Sequence, residues 1–186
     1  MLSHIESDLE LSIDSVRVGI RQQRPVVVLK EVSGERYLAI WVGSDMAQAI
    51  TLALQEQETP RPMTHDLLLN TIEMLGGKVK EVRITSLKED VYFARIIIEQ
   101  DGDTHSIDSR TSDALAVAVR SGANIMASQE LMEEASIQLP DDDHDDDFNQ
   151  ELLNPVTDEE LQKLSPFRDL VEGLNLDNLG ETDSEE

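Results

Sequence analysis

Two short stretches hold the residue types that could do chemistry. One carries Arg61, His65 and Asp66; the other carries Asp108, Arg110, Ser112 and Asp113. Carboxylates can hold a divalent cation, arginines can clamp a phosphate, and an imidazole can move a proton near neutral pH. These are the parts that hydrolysis of a phosphodiester requires, because charge builds on the phosphoryl oxygens as water attacks. The competing reading is structural: the same residues would be helix caps joined by ordinary salt bridges, and the two clusters are remote along the chain. Other chemistries find less support. The chain has no cysteine, hence no thiolate nucleophile, thiolate metal site or disulfide. Ser106, Ser109, Ser112 and Ser121 lack a Gly-x-Ser-x-Gly context. Gly76-Gly77 follows a helix, which is the wrong setting for a phosphate loop.

The elements that must position these residues are legible in the hydrophobic pattern. Residues 107–123 read as a strand end, a polar turn and an apolar helix. Ala114 to Val119 are six apolar residues in a row, so this helix has no polar face and must be buried almost all round. Thr111, Ser112 and Asp113 offer oxygens to the unpaired amides of its first turn, and Gly122 stops it. A second helix is expected from a Thr64 cap, with Leu68, Ile72 and Leu75 as its buried stripe and Gly76-Gly77 at its end. A third is expected from a Ser44 or Asp45 cap to about Gln55.

Strands are expected over residues 10–20, 25–32 and 36–42, forming a meander, with a bulge in the first where the apolar phase changes. Residues 78–87 and 91–100 read as a long hairpin whose second strand lies centrally. Asp101-Gly102 is a turn signal, and residues 104–108 lead into the apolar helix. Residues 125–127 suggest a short edge strand and residues 129–134 a last helical turn. Strands grouped before and between helices, not strictly alternating with them, predict an α+β fold: a mostly antiparallel or mixed sheet with two to three packed helices.

The formal charge of −24 is unevenly spread. Residues 1–139 hold 22 acids against 13 bases, and residues 140–186 hold 17 against 2. The expected organisation is therefore one domain over residues 1–139 and an acidic, largely disordered tail over residues 140–186. Asp141 to Asp147 bracket His144, but the run lacks the glycine turn of a calcium loop and reads as solvated chain. Phe167, Leu170, Val171 and Leu174 give the tail one short amphipathic helix, a candidate contact for a protein partner. Aromatic residues are only 3% of the chain, too sparse for stacking single-stranded nucleic acid, and the net acidity repels phosphate backbones. With no leader-like start and no run of about 20 apolar residues, a cytoplasmic protein without a membrane span is expected.

Pro62-Met63-Thr64-His65-Asp66-Leu67-Leu68 and Ile107-Asp108-Ser109-Arg110-Thr111-Ser112-Asp113-Ala114-Leu115-Ala116-Val117-Ala118-Val119-Arg120 resemble, as a pair, the signatures of the bifunctional nuclease family. The order of elements is also similar, and the likeness covers roughly residues 11–131. It implies an α+β domain that cleaves DNA and RNA and assembles as a homodimer. It places His65, Asp66, Asp108, Arg110 and Asp113 at catalytic positions. In that reading Asp66, Asp108 and Asp113 face a divalent metal (Mg or Mn), His65 is acid or base, and Arg61, Arg110 and Ser112 contact the phosphate. Thr111 departs from a proline common in the second signature. The acidic tail does not match the UvrB/UvrC-like helical hairpin that some relatives append. The alternative to a nuclease is a non-catalytic interaction or regulatory module whose acidic tail binds a partner.

Overall fold

The computed structural model describes residues 8–18 and 24–138. The end of the expected first strand, residues 19–20, and the acidic segment, residues 140–186, lie outside the described residues. Three strands open the chain, β1 (Leu9–Val18), β2 (Pro25–Glu31) and β3 (Arg36–Trp41). Two helices follow, α1 (Ser44–Leu54) and α2 (Thr64–Met74), then β4 (Gly77–Lys88), β5 (Val91–Gln100) and β6 (Asp103–Arg110). The chain continues through α3 (Thr111–Ser121), β7 (Asn124–Ala127), α4 (Gln129–Ala135) and β8 (Ile137–Gln138).

All eight strands form one sheet in the order β6-β5-β4-β7-β1-β2-β3-β8. Both meanders are antiparallel, and the β1–β2 register slips between Ile13 and Ser15, the bulge expected from the phase change. Asp101 and Gly102 both take positive φ, 52° and 87°, in the two-residue turn that returns β5 as β6. The β4–β7 pair is parallel, so the sheet is mixed.

That pair is also where the sequence misleads. Residues 125–127 were expected at an edge, yet β7 lies between β4 and β1 and joins the two meanders. Ile125 and Ala127 are buried, and α3 packs on β4, β5, β6 and β7. β5 does lie inside the sheet, one strand from its edge, although Val91 and Phe93 on the face away from the helices are exposed.

α3 is the axis of the core. Ala114, Leu115, Ala116 and Val117 are wholly buried, as the unbroken apolar run requires, and α1 and α2 flank this helix. Alanines let the neighbouring backbones approach, while Leu115 and Val117 each contribute roughly 1.5–3 kcal/mol of burial. Gly122, at φ 66°, ends the helix in the left-handed conformation.

The helix starts depart from expectation. Gly43, Met63 and Arg110 occupy the N-cap positions of α1, α2 and α3, not Ser44 or Asp45, Thr64, or the Thr111–Asp113 hydroxyls and carboxylate. The expected polar turn before α3 is absent too, because β6 stays paired with β5 up to Arg110 and the helix begins at the next residue. Thr111 instead donates its hydroxyl to the Tyr92 carbonyl on β5. The stripe on α2 is rotated as well. His65, Leu69 and Ile72 face inward, whereas Leu68 and Leu75 are exposed along with Leu67 and Met74.

Candidate functional site at the α2 and α3 starts

α2 and α3 begin side by side, which brings the two sequence clusters together. His65 is the second residue of α2 and Asp113 the third of α3. The His65 Nε2 lies 3.1 Å from Asp113 Oδ1. Arg110, at the N-cap of α3, donates from Nε to Asp113 Oδ2 at 2.7 Å and from Nη2 to Oδ1 at 3.2 Å. One carboxylate thus holds an imidazole and a guanidinium.

The electrostatics fix the proton. Burial pushes the Asp113 carboxyl upward, but the hydrogen bonds from Arg110 and His65 outweigh it and hold the group below the usual carboxylate range. An ionised carboxylate only accepts, so the His65 Nε2 must carry the hydrogen, and in the neutral ring Nδ1 is the acceptor. Among the described residues Nδ1 has no hydrogen-bond partner. His65 is 7% exposed, whereas the Arg110 side chain is 74% exposed. The site therefore grades from a covered imidazole to an open cation within one hydrogen-bonded chain.

Asp66 is turned elsewhere. Its Oδ2 accepts the Met63 amide at 2.7 Å, which satisfies one free N–H at the start of α2. Its Oδ1 accepts from Nε of Arg120 in the last turn of α3. Here too burial raises the carboxyl, and Arg120 and the Met63 amide bring it below its ordinary value. A cavity of about 460 Å³ opens beside this pair, lined by Leu52, Glu56, Met63, Asp66 and Arg120, and does not include His65 or Asp113.

The remaining expected residues are dispersed. Asp108 stands opposite Arg95 in the β5–β6 ladder. Directly paired residues share a face and neighbours alternate, so Asp108 lies on the side of the sheet away from Ala94 and Ile96, which pack under the helices. Ser112 is half-buried in the first turn of α3. Arg61 is exposed in the loop before α2, with no side-chain ion pair among the described residues.

The donor set does not fit a preformed divalent-cation site. Asp66 and Asp113 each already accept from an arginine, and Asp108 is exposed on β6 with no hydrogen bond to either. No group of three or more His, Asp or Glu side chains placed to hold an ion occurs among the described residues.

Sequence reasoning passed over Arg120. The available signal was a single cation closing an otherwise apolar helix, which reads as an ordinary charge complementing the C-terminal dipole.

The fold and the paired signatures define an α+β domain with its polar centre at two adjoining helix starts. A family model described as the bifunctional nuclease domain matches residues 27–140, and the chain belongs to this family. An uncharacterized protein of Mycobacterium tuberculosis is 36% identical over 162 residues, 87% of this chain and 94% of the relative. Bifunctional nuclease 1 of Oryza sativa subsp. japonica is 28% identical over 109 residues, and Bifunctional nuclease 1 of Arabidopsis thaliana 27% identical over 111. Those matches span only 33% and 34% of the plant proteins. No helix among the described residues is long and apolar enough to cross a membrane.

Proposed function

We propose that this domain hydrolyses the phosphodiester bonds of DNA and RNA at the His65, Asp113 and Arg110 cluster. The observation that carries the reading is the shared carboxylate: it holds His65 in one tautomer and keeps Arg110 within the same few ångströms. The family and the names of the plant relatives support the chemistry.

In this reading Arg110 swings from Asp113 to a substrate phosphate, as its exposure permits. The amides at the α3 start favour the same anion, and Arg61 and Ser112 add contacts. His65 Nδ1 takes a proton from water as the water oxygen bonds to phosphorus. The ester bond then breaks, and its departing oxygen is protonated from solvent. Asp113 stabilises the imidazolium that forms. No ion takes part in this step, because Asp66 and Asp113 are arranged as arginine acceptors and Asp108 shares no hydrogen bond with either. Assays with EDTA and with added Mg²⁺ or Mn²⁺ test this. Asp66 serves by shaping the α2 start.

Homodimer formation belongs to the same proposal. Leu67, Leu68 and Met74 of α2 and its C-cap Leu75 form an apolar outer face, with Met74 88% and Leu75 71% exposed, and a second copy would cover it.

One observation favours a second reading, a regulatory module that recruits a protein partner through its tail. The acid excess of residues 1–139 works against nucleic acid at long range. Purified protein incubated with labelled single-stranded DNA and RNA separates the two: cleavage that is lost in His65→Gln supports the nuclease. Absence of cleavage, with a protein partner that is captured by the full chain and lost on deleting residues 140–186, supports the module.

A further inference from the structure

We propose that Arg120 is a positioning residue that sets the orientation of His65. The assignment rests on the role proposed for His65, and it arises from a second pin between the same two helices. Asp113 and Arg120 lie seven residues apart on α3, which places them on one face two turns apart, about 10 Å along the axis. Their partners, His65 and Asp66, are adjacent on α2. A single contact between two helices leaves one free to pivot about it. Two contacts, made by adjacent residues of α2 to two different turns of α3, hold the first turn of α2 against that pivot.

The Arg120 fork is built to hold still. Its side chain is 8% exposed. Nη1 donates to the Ala116 carbonyl at 3.0 Å, Nη2 donates to the Ala49 carbonyl on α1 at 3.1 Å, and Nε donates to Asp66. The guanidinium therefore joins α1, α2 and α3 at one point. Asp66 passes the constraint on, since its other oxygen accepts the Met63 amide and fixes the first turn from which His65 projects. A lysine could not reproduce this, because a compact ammonium lacks the planar fork that reaches two carbonyls and a carboxylate together. A buried ion pair is also no requirement for stability, since apolar replacements of similar volume are often tolerated. Its geometry here is that of a group that orients its neighbours.

The test is the ring state of His65 in the full chain. With only four histidines, the imidazole nitrogens can be assigned by ¹⁵N NMR. At a pH where the ring is neutral, wild-type His65 should be a single tautomer protonated at Nε2. Arg120→Met should keep the amide fingerprint of the fold yet show an averaged His65 tautomer, and should lower kcat by at least about tenfold with little change in KM. An unchanged His65 ring in a folded Arg120→Met protein overturns the proposal. If Arg120→Met does not fold, Arg120→Lys replaces it: partial tautomer averaging supports the proposal, and a ring identical to wild type overturns it. A wild type without nuclease activity would remove the proposed function, while the ring measurement would still decide whether Arg120 orients His65.

Discussion

His65 and Asp113 are 48 residues apart in the chain and meet through Nε2 and Oδ1 at 3.1 Å. The contact exists because α2 and α3 start side by side at the same end of their packed pair. It gives a buried imidazole a hydrogen fixed on Nε2 and, in the neutral ring, an acceptor at Nδ1 with no partner among the described residues.

The three aspartates should separate cleanly by mutation. Asp113→Asn removes the ionised acceptor shared by His65 and Arg110 and should reduce phosphodiester cleavage by about 100-fold or more. Asp108→Asn, at an exposed position with no hydrogen bond to His65, Arg110 or Asp113, should leave cleavage within about twofold, since such a surface change perturbs little. Steady-state kinetics of the two variants check this, and an Asp108→Asn protein as impaired as Asp113→Asn would return Asp108 to the site.

Acid should loosen the α2 and α3 pair. Asp113 and Asp66 are both held below the ordinary carboxylate value in the folded chain. A depressed carboxyl contributes stability that is fully present above its unfolded value of about 3.9 and is lost as pH falls through the folded value. Thermal unfolding followed from pH 6 downward should therefore show Tm falling below about pH 4. The fall should be shallower in Asp66→Asn, where one of the two linked protons is absent.

Core truncation supplies a control that moves stability without touching the site. Leu115 is fully buried in α3, and Leu115→Ala should cost roughly 2–5 kcal/mol by urea denaturation. A cost under about 1 kcal/mol would mean that α3 is less tightly packed than described.

The apolar outer face of α2 should be where copies meet. Leu75→Glu adds charge at a 71% exposed position, so it should convert a dimer to a monomer in sedimentation with Tm nearly unchanged. A wild type that sediments as a monomer at micromolar concentration would contradict the assembly proposed.

What the sequence revealed and what it hid have physical causes. Six apolar residues behind a polar cap and ahead of Gly122 marked the buried helix, and the phase change in β1 pointed to its bulge. The pairing of His65 with Asp113 was within reach because both sit at helix starts, though only the packing of α2 on α3 makes them neighbours. Three features escaped. The centrality of β7 depends on its pairing with both β1 and β4, which a three-residue apolar run does not announce. The face of Asp108 depends on β6 remaining paired through Arg110, which a polar stretch full of serine and aspartate conceals. The inward rotation of α2 depends on a histidine and two partly covered aliphatics winning burial over more apolar neighbours, and pattern counting weighs that competition wrongly.

The most direct measurement compares wild type and His65→Gln for cleavage of end-labelled single-stranded DNA and RNA, with and without EDTA, both proteins purified identically and shown to share one fold. The account predicts cleavage of both substrates by the wild type, EDTA included, and a loss of about 100-fold or more in the variant. Equal cleavage by both proteins, or none by the wild type under any metal condition, would contradict it.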